Sequence, residues 1–409
     1  MQRFVLSVLF VAALQLPVSA QEWTRFRGPN GTGVSDAKTV PTAWSDDDYN
    51  WSIDLPGTGH SSPVTWGTKL FVTACNEESS TRLLLCISTT DGSVLWEKEL
   101  QLKTDKKHKN NSFASSTPCV NADHVIVAWH SKTSSPLIAY NHDGNEAWQY
   151  EQGPYLHGQG AATSPIVYKD MVVIANDQKE PSFLLAVDAK TGKERWKIPR
   201  EGKRACYSTP CAFHSKGRPE ELVFTHCYEG IIGVDPASGK QNWHIDVFGR
   251  ASQRALSSPV FTDELVMATS GGVGGETQLV AVQPGDATDG KATEAWRTNK
   301  QTPHVPTPLI YKDWVFMWSD QGIASCLDKV TGDVVWKHRV GGNYFGSPVC
   351  VAGKLYGIDL DGNVVVIAAS DKYELLGKVS LGQGSKATPA VSDGVMYLRT
   401  ESKLFSLGG

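Results

Sequence analysis

The sequence predicts an all-β protein, an eight-bladed β-propeller of four-stranded antiparallel blades, and three observations support this fold class. A Ser/Thr-Pro step followed by apolar residues recurs eight times, at spacings of 40 to 55 residues. A turn motif that ends in Trp accompanies most of the copies. The chain ends before the last copy has a fourth strand, and a matching strand stands near the N-terminus. Internal repeats of this length are typical of propellers and solenoids.

Each Ser/Thr-Pro step marks the first strand of one repeat, and we number the blades in that order. A second β-rich run, a polar loop and a third strand follow each step. One such sheet cannot bury both of its faces, so the units must stack, and radial closure leaves only short edges. The steps are Ser62-Pro63, Thr117-Pro118, Ser164-Pro165, Thr209-Pro210, Ser258-Pro259, Thr307-Pro308, Ser347-Pro348 and Thr388-Pro389.

The third strand of each repeat ends in a turn and a Trp. Clear copies read AVDAKTGKERW at 186–196, GVDPASGKQNW at 233–243 and CLDKVTGDVVW at 326–336. The Asp and Ser/Thr side chains bond the turn backbone, Gly supplies a positive φ, and Trp starts the fourth strand. Blade 7 has Leu376-Gly377 where Trp is expected, which predicts weaker docking of that blade.

The two ends of the chain complement each other. The last repeat lacks a fourth strand, and the segment from Tyr49 to Leu55 carries the missing strand with its Trp. We therefore expect this segment to complete blade 8 and close the ring. The predicted organisation is a signal peptide at 1–20, an N-terminal extension that packs on the propeller at 21–48, and a single propeller at 49–409.

The first twenty residues have the pattern of an export signal. Arg3 precedes an apolar run from Phe4 to Leu16, and Val18-Ser19-Ala20 provides a small-x-small cleavage site after Ala20. The run is shorter than the roughly 20 residues that span a bilayer. No Cys lies near the cleavage point, so a lipoprotein anchor is not expected. The sequence predicts a periplasmic or secreted protein without membrane insertion.

The net charge bears on the expected partners, and the positions of the cysteines bear on the expected core packing and disulfides. The net charge is -4 and the pI is about 6.3, so the overall field does not favour nucleic acid. We also expect a monomer. Cys86 and Cys326 occupy a repeat position that other copies fill with Ala or Gly, which suggests small buried fillers. Cys206 and Cys227 are the one candidate disulfide pair, since they fall on neighbouring strands at facing positions.

The AxDxxTGxxxW turn, the eightfold count and the Ser/Thr-Pro strands together resemble the tryptophan-docked repeats of the quinoprotein, or PQQ-binding-like, eight-bladed propellers. The resemblance covers about 23–407. The stretches WTRFRGPNGTGVS at 23–35, HKNNSFASSTP at 108–118 and HGQGAATSP at 157–165 are similar to exported planctomycete-type members.

The resemblance implies two different roles. Quinoprotein dehydrogenases hold PQQ between a Trp and a disulfide of adjacent cysteines, beside a Ca²⁺ ion. The scaffold lipoprotein of the outer-membrane β-barrel assembly machine uses its propeller to hold protein partners. This sequence has no Cys-Cys pair and no lipid-anchoring Cys, so neither role transfers intact.

Polar side chains cluster before the Ser/Thr-Pro steps, where the first strands of a propeller line the axial funnel. Converging cations and hydrogen-bond donors there suit an anionic ligand, although the same side chains also suit a solvated rim. The candidate ligand-binding residues are His60, His108, Asn111, His157, Arg204, Tyr207, Arg254, His304, Asn343 and Lys386.

Acidic loop residues on the same face raise the question of a calcium site. Asp177 and Asp320 follow second strands and could supply oxygen ligands to Ca²⁺, but Asp is also the ordinary residue of such turns.

We expect a non-catalytic binding or scaffold module that requires no cofactor and holds a protein or an anionic small molecule. The alternative is an oxidoreductase that uses PQQ and Ca²⁺, with Asp177 or Asp320 near Arg204 or Arg254 as the base. A third hypothesis, carbohydrate binding by rim Trp and Tyr residues, stays open.

Overall fold

The computed structural model of the protein describes residues 22–249, 254–272, 277–286, 288 and 290–409. The predicted signal peptide at 1–20 lies outside these residues. The described chain forms eight antiparallel sheets of four strands each, which are consecutive in the chain in seven of the sheets, and a fifth, parallel strand joins one of them. The predicted fold class is confirmed.

The strands of blades 1 to 4 follow the chain order. They are β3 (Val64–Trp66), β4 (Lys69–Asn76), β5 (Thr81–Ser88), β6 (Val94–Gln101), β7 (Cys119–Val120), β8 (His124–Ala128), β9 (Pro136–Asn141), β10 (Glu146–Glu151), β11 (Ile166–Tyr168), β12 (Met171–Asn176), β13 (Phe183–Asp188), β14 (Glu194–Pro199), β15 (Cys211–Phe213), β16 (Glu221–His226), β17 (Gly230–Val234) and β18 (Gln241–Ile245).

The strands of blades 5 to 8 include two N-terminal strands, β1 in blade 7 and β2 in blade 8. They are β19 (Val260–Phe261), β20 (Val266–Ser270), β21 (Gln278–Gln283), β22 (Thr293–Thr298), β23 (Leu309–Tyr311), β24 (Trp314–Trp318), β25 (Ile323–Asp328), β26 (Val334–Arg339), β1 (Val34–Ser35), β27 (Val349–Val351), β28 (Lys354–Ile358), β29 (Asn363–Ala368), β30 (Leu375–Ser380), β31 (Ala390–Ser392), β32 (Val395–Arg399), β33 (Lys403–Gly408) and β2 (Tyr49–Asp54).

The N-terminal strand β2 closes the ring, as the sequence predicts. It pairs antiparallel with β33, and Trp51 stands opposite Ser406. The last blade is thereby built from both ends of the chain. Helical structure in the described residues is limited to 3₁₀ turns at Pro29–Gly31 and Asp46–Asp48, and no helix there has the length and apolar character to cross a membrane.

Each blade has a β-bulge between its third and fourth strands, and the residue opposite the docking Trp is small. Gly233 faces Trp243, Ala186 faces Trp196, and Cys86 faces Trp96. The indole needs this space: a Cβ on Gly233 would lie 2.1 Å from Nε1 of Trp243. Both predicted cysteine fillers are buried at this position, Cys326 opposite Trp336.

The Trp side chains join neighbouring blades through their indole N–H groups. Each of five indoles donates to a backbone carbonyl in the turn of the next blade at 2.8 to 3.0 Å: Trp51 to Thr89, Trp96 to His142, Trp148 to Ala189, Trp196 to Pro236 and Trp336 to Ser370. Trp243 differs, because its indole donates at 2.9 Å to the Glu221 carboxylate within its own blade.

Blade 7 replaces the docking Trp with the chain's own N-terminal segment. Here the small residue, Gly377, lies on the fourth strand and faces the larger Val366 on the third strand. In the other blades the fourth strand carries the large Trp and the third strand carries the small residue. The carbonyl oxygen of Thr42 occupies the space beside Gly377, 1.8 Å from where a Cβ would lie. The Tyr356 hydroxyl donates to the Val40 carbonyl at 2.9 Å. A backbone segment therefore covers the position that an indole covers elsewhere.

Residues 23–35, which we call the axial segment, bond to the first strands of several blades. The N–H groups of Thr65 in blade 1 and Cys350 in blade 7 donate to the carbonyls of Trp23 and Gly33 at 3.0 and 2.7 Å. Asn30 exchanges two side-chain hydrogen bonds with the backbone of Ala212 in blade 4. Since first strands of different blades meet only around the axis, the segment lies in the axial channel.

Candidate functional site

A cavity of about 870 Å³ lies on the propeller axis at the Ser/Thr-Pro steps. This volume falls within the range of roughly 300 to 1,000 Å³ of small-molecule sites. Phe26 of the axial segment also lines the cavity, so the N-terminal segment contributes to its wall.

The position three residues before each repeat Pro lines this cavity in all eight blades. In seven blades the Ser or Thr directly before the Pro lines the cavity as well. The two positions are two residues apart, and side chains two residues apart point to the same side of an extended chain. The residues three before Pro are His60, Ser115, Ala162, Tyr207, Leu256, Val305, Phe345 and Lys386; those directly before it are Ser62, Thr117, Ser164, Thr209, Thr307, Ser347 and Thr388.

The Ser/Thr residues of the steps form a hydrogen-bonded ring. In seven of the eight steps the backbone N–H of the Ser or Thr donates to the hydroxyl oxygen of the next step at 2.9 to 3.2 Å; the bonds run Ser62 to Thr117, Thr117 to Ser164, Thr209 to Ser258, Ser258 to Thr307, Thr307 to Ser347, Ser347 to Thr388 and Thr388 to Ser62. A hydroxyl that accepts in this way keeps its own proton for another partner, so the ring presents donors to the cavity.

The structure brings seven of the ten predicted ligand-binding residues to the cavity, together with the predicted metal ligand Asp320. The seven are His60, His108, Asn111, Tyr207, Arg254, His304 and Lys386. The other three lie elsewhere: His157 lines a small adjacent pocket, the Arg204 side chain donates to the Tyr228 hydroxyl at 3.1 Å, and Asn343 is exposed.

Two of the lining residues carry fixed positive charge, Arg254 and Lys386. Arg254 is held by paired backbone bonds with Gly271, at 2.6 and 3.0 Å. The Lys386 ammonium lies 3.6 Å from the partly exposed Glu401 carboxylate and 3.5 Å from Nε2 of His60. These two side chains supply the charge that an anion would meet first.

His60 and His304, which line the cavity near these cations, are neutral at physiological pH. Burial, with the charges of Lys386 and Arg399, lowers the pKa of His60 to about 3. Burial also lowers the pKa of His304, although the Asp320 carboxylate opposes the shift. Both rings therefore offer neutral hydrogen-bonding nitrogens.

Buried arginines without a carboxylate partner add positive charge around the axis. Within the described chain, Arg25, Arg27 and Arg399 form no salt bridge, and their side chains donate to backbone carbonyls of Pro210, Pro308 and Ser61. Burial lowers their pKa values, to about 10, 9 and 9 in that order. All three stay charged at neutral pH, so they place positive charge around the axis of a chain that is net acidic overall.

The candidate calcium ligands do not come together. Both carboxylate oxygens of Asp320 accept backbone N–H groups, from His304 at 2.6 Å and Val305 at 3.2 Å. Asp177 is buried 3.4 Å from the Arg200 guanidinium and does not line the cavity. The one cluster of three His, Cys, Asp or Glu ligands in the described chain contains neither of them.

Sequence reasoning missed several lining residues. Phe26 comes from the axial segment, and Phe345 holds the position three before Pro348. The alternation around the repeat Pro could have identified Phe345, which lies two residues before the lining Ser347. Loop residues carry no such periodic signal; the ones missed include Gln159, Thr277, Asn299 and Gln301.

Comparisons with known proteins agree with this architecture. A family model described as "Outer membrane protein assembly factor BamB" matches residues 32–207 and 286–405. The crystal structure of BamB from Moraxella catarrhalis is similar with a TM-score of 0.63 at 14% identity, over 88% of this chain and 96% of that one. The quinohemoprotein alcohol dehydrogenase of Comamonas testosteroni gives 0.64 at 14% identity, over 95% of this chain and 80% of that one.

A curated relative extends the comparison beyond these two. The serine/threonine-protein kinase AfsK of Streptomyces griseus is 26% identical over 168 residues, which are 41% of this chain and 19% of the kinase. The matched region thus spans about a fifth of that protein's length.

Proposed function

The chain belongs to the PQQ-like propeller family of the outer membrane protein assembly factor BamB, and on that premise we propose that it is an exported, non-catalytic binding module that holds an anionic ligand in its axial cavity. The observation that carries the proposal is the charge around the cavity. Arg254 and Lys386 line it, and the buried Arg25, Arg27 and Arg399 surround the axis.

The cavity suits carboxylates by geometry as well as charge. Arginine forks match carboxylate oxygens, and the Ser/Thr ring adds hydroxyl donors around the axis. Asp320, the single carboxylate among the described lining residues, accepts backbone N–H groups at both oxygens. Desolvated walls strengthen the attraction between ligand and protein. The ligand class is therefore a compact polycarboxylate or the acidic loop of a protein partner.

An exported location supports the binding role. The signal-peptide pattern at 1–20 would place the folded propeller outside the cytoplasm. We expect a monomer there, with the cavity open to small molecules or to a partner's loop.

The oxidoreductase alternative needs a planar PQQ slot and a Ca²⁺ ion, and the described residues fit these only in part. Arg254, Lys386 and the hydroxyl ring could bind PQQ carboxylates, and Phe26, Tyr207 and Phe345 offer aromatic rings. No Trp is among the residues that line the cavity, and the sequence has no adjacent cysteines. The described lining residues do not fit a calcium centre, because Asp320 is the one carboxylate among them and already accepts two backbone N–H groups.

The test is a calorimetric titration of the mature chain with three anions: citrate, PQQ with and without Ca²⁺, and a polyglutamate peptide. We expect saturable binding of at least one of them, weakened at least tenfold by Arg254→Ala and by Lys386→Ala. The matched control is Arg195→Ala, which removes an exposed arginine that pairs with Asp170 far from the lining residues.

Two results would contradict the proposal. One is the absence of saturable binding by all three anions. The other is binding that the two cavity variants leave unchanged. Binding of PQQ that requires Ca²⁺ would instead support the oxidoreductase alternative.

A further inference from the structure

Blade 4 contains a buried cluster of two thiols and an imidazole. Cys206 precedes the first strand of the blade, and His226 and Cys227 stand at the start of the hairpin between β16 and β17. All three are buried, with exposed fractions of 0%, 0% and 1%. One ligand atom from each can be chosen so that all lie within 4.8 Å of one another.

The sulfur atoms are positioned for a shared ion rather than for a covalent bond. The Sγ atoms of Cys206 and Cys227 lie 3.4 Å apart, and both cysteines are free. Two thiolates on a tetrahedral Zn²⁺, each about 2.3 Å from the ion, would be about 3.8 Å apart. A disulfide needs about 2.05 Å. The sulfurs would therefore move a few tenths of an ångström for the ion, but well over 1 Å for the disulfide.

A second observation, apart from the sulfur spacing, is that one ring nitrogen of His226 lacks a hydrogen-bond partner among the described residues. Its Nε2 is buried and has no hydrogen-bond partner in the described chain, and such orphaned nitrogens are rare in protein interiors. A metal ion would satisfy Nε2 once the ring proton moves to Nδ1, which without the ion accepts the Tyr228 N–H at 3.3 Å. Imidazole and thiolate are the ligands that Zn²⁺ prefers in proteins.

We propose that Cys206, His226 and Cys227 form a buried binding site for one thiophilic metal ion, Zn²⁺ in the first instance. Three protein ligands leave the fourth tetrahedral position open. Binding exchanges thiol protons for the ion, with no change of oxidation state. The site is separate from the proposed anion-binding function, since none of its three residues lines the axial cavity.

The experiment uses the mature chain, reduced and stripped with a chelator, then titrated anaerobically with Co²⁺. We expect one Co²⁺ per chain, an intense thiolate-to-cobalt charge-transfer band in the near ultraviolet, and loss of that band when Zn²⁺ displaces Co²⁺. Cys206→Ser and Cys227→Ser abolish the band, and His226→Asn weakens binding at least tenfold. The matched control Cys86→Ala removes another buried thiol, at a position where other blades carry Ala, and keeps the band.

A second measurement covers the case in which a variant fails to fold. In the unaltered chain, Zn²⁺ should protect two thiols from alkylation, identified by peptide mapping as Cys206 and Cys227. The proposal is overturned if Co²⁺ gives no charge-transfer band, if protection falls on other cysteines, or if the chain isolated without reductant carries a Cys206–Cys227 disulfide and takes up no metal after reduction.

Discussion

The backbone N–H of Thr388 donates to the hydroxyl oxygen of Ser62 at 3.2 Å and joins the last blade to the first across 326 residues of sequence. The bond repeats the one that links Ser347 to Thr388 and Ser62 to Thr117. The Ser or Thr before the repeat Pro therefore connects neighbouring blades, and in seven of the eight blades it also lines the cavity.

Removal of one ring hydroxyl should destabilise the propeller. Ser62→Ala leaves the buried N–H of Thr388 without an acceptor, and an unsatisfied buried donor costs about 1–3 kcal/mol. Equilibrium unfolding in urea measures the loss. Ser52→Ala, on the exposed face of β2, is the control, with an expected change within about 0.5 kcal/mol. Equal effects of the two substitutions would show that the ring bond does not contribute.

The small residue opposite each docking Trp should be sensitive to size. Gly233→Ala places a Cβ 2.1 Å from the Trp243 indole nitrogen, so the indole must move, at a cost of about 1–3 kcal/mol. Gly158→Ala is the control, because its Cβ would meet nothing within 4 Å. Thermal unfolding followed by Trp fluorescence compares them, and an unaffected Gly233→Ala protein would disprove the steric account.

Insertion of the missing Trp in blade 7 should harm the fold rather than improve it. In Gly377→Trp the new Cβ would lie 1.8 Å from the Thr42 carbonyl oxygen, so the N-terminal segment must leave its place on the blade. We expect a loss of at least about 1 kcal/mol, measured by denaturant unfolding. Leu375→Lys, at an exposed position of the same strand, should change little. A stabilised Gly377→Trp protein would mean that the segment is dispensable.

Acid should destabilise the folded protein through its buried histidines. Burial, with the nearby charge of Arg82, lowers the pKa of His130 to about 4 from an ordinary value of 6.5. Between these values the unfolded chain binds a proton that the folded chain does not, so stability is complete above pH 6.5 and falls as the pH decreases toward 4.

The pH dependence can be assigned with one substitution. Thermal midpoints measured from pH 6.5 to pH 4 should fall less steeply in His130→Phe than in the unaltered chain. His214→Gln, which alters an exposed histidine, should keep the original slope. An unchanged slope in His130→Phe would exclude this histidine as a source of acid sensitivity.

The sequence was sufficient to predict the repeats and the closure of the ring, because both depend on local residue patterns. The Ser/Thr-Pro steps predict the blade count, and the segment around Trp51 is predicted to complete the last blade, which its pairing with β33 confirms. The candidate site was predicted less completely. Asn343 has the same alternation as Phe345 and Ser347, but it is exposed and does not line the cavity. Phe345 was missed because it carries neither charge nor hydrogen-bonding group.

The course of the axial segment could not be read from local pattern. Its bonds run to Thr65, Ala212 and Cys350 in three different blades, and such partners become neighbours only when the ring is closed. The same holds for Cys206, His226 and Cys227, which have no short metal-binding spacing and meet through the fold of blade 4.

By itself, the sequence determined the eight-bladed all-β architecture. The Ser/Thr-Pro step, the turn residues and the small residue opposite the docking Trp are all properties of a repeat taken alone. The tertiary structure decided which side chains surround the cavity and which of them are charged. Burial keeps His60 neutral, and Arg25 and Arg27 become parts of the axial channel only because the N-terminal segment enters it. Desolvation and long-range contacts depend on the closed ring, and no single repeat contains them.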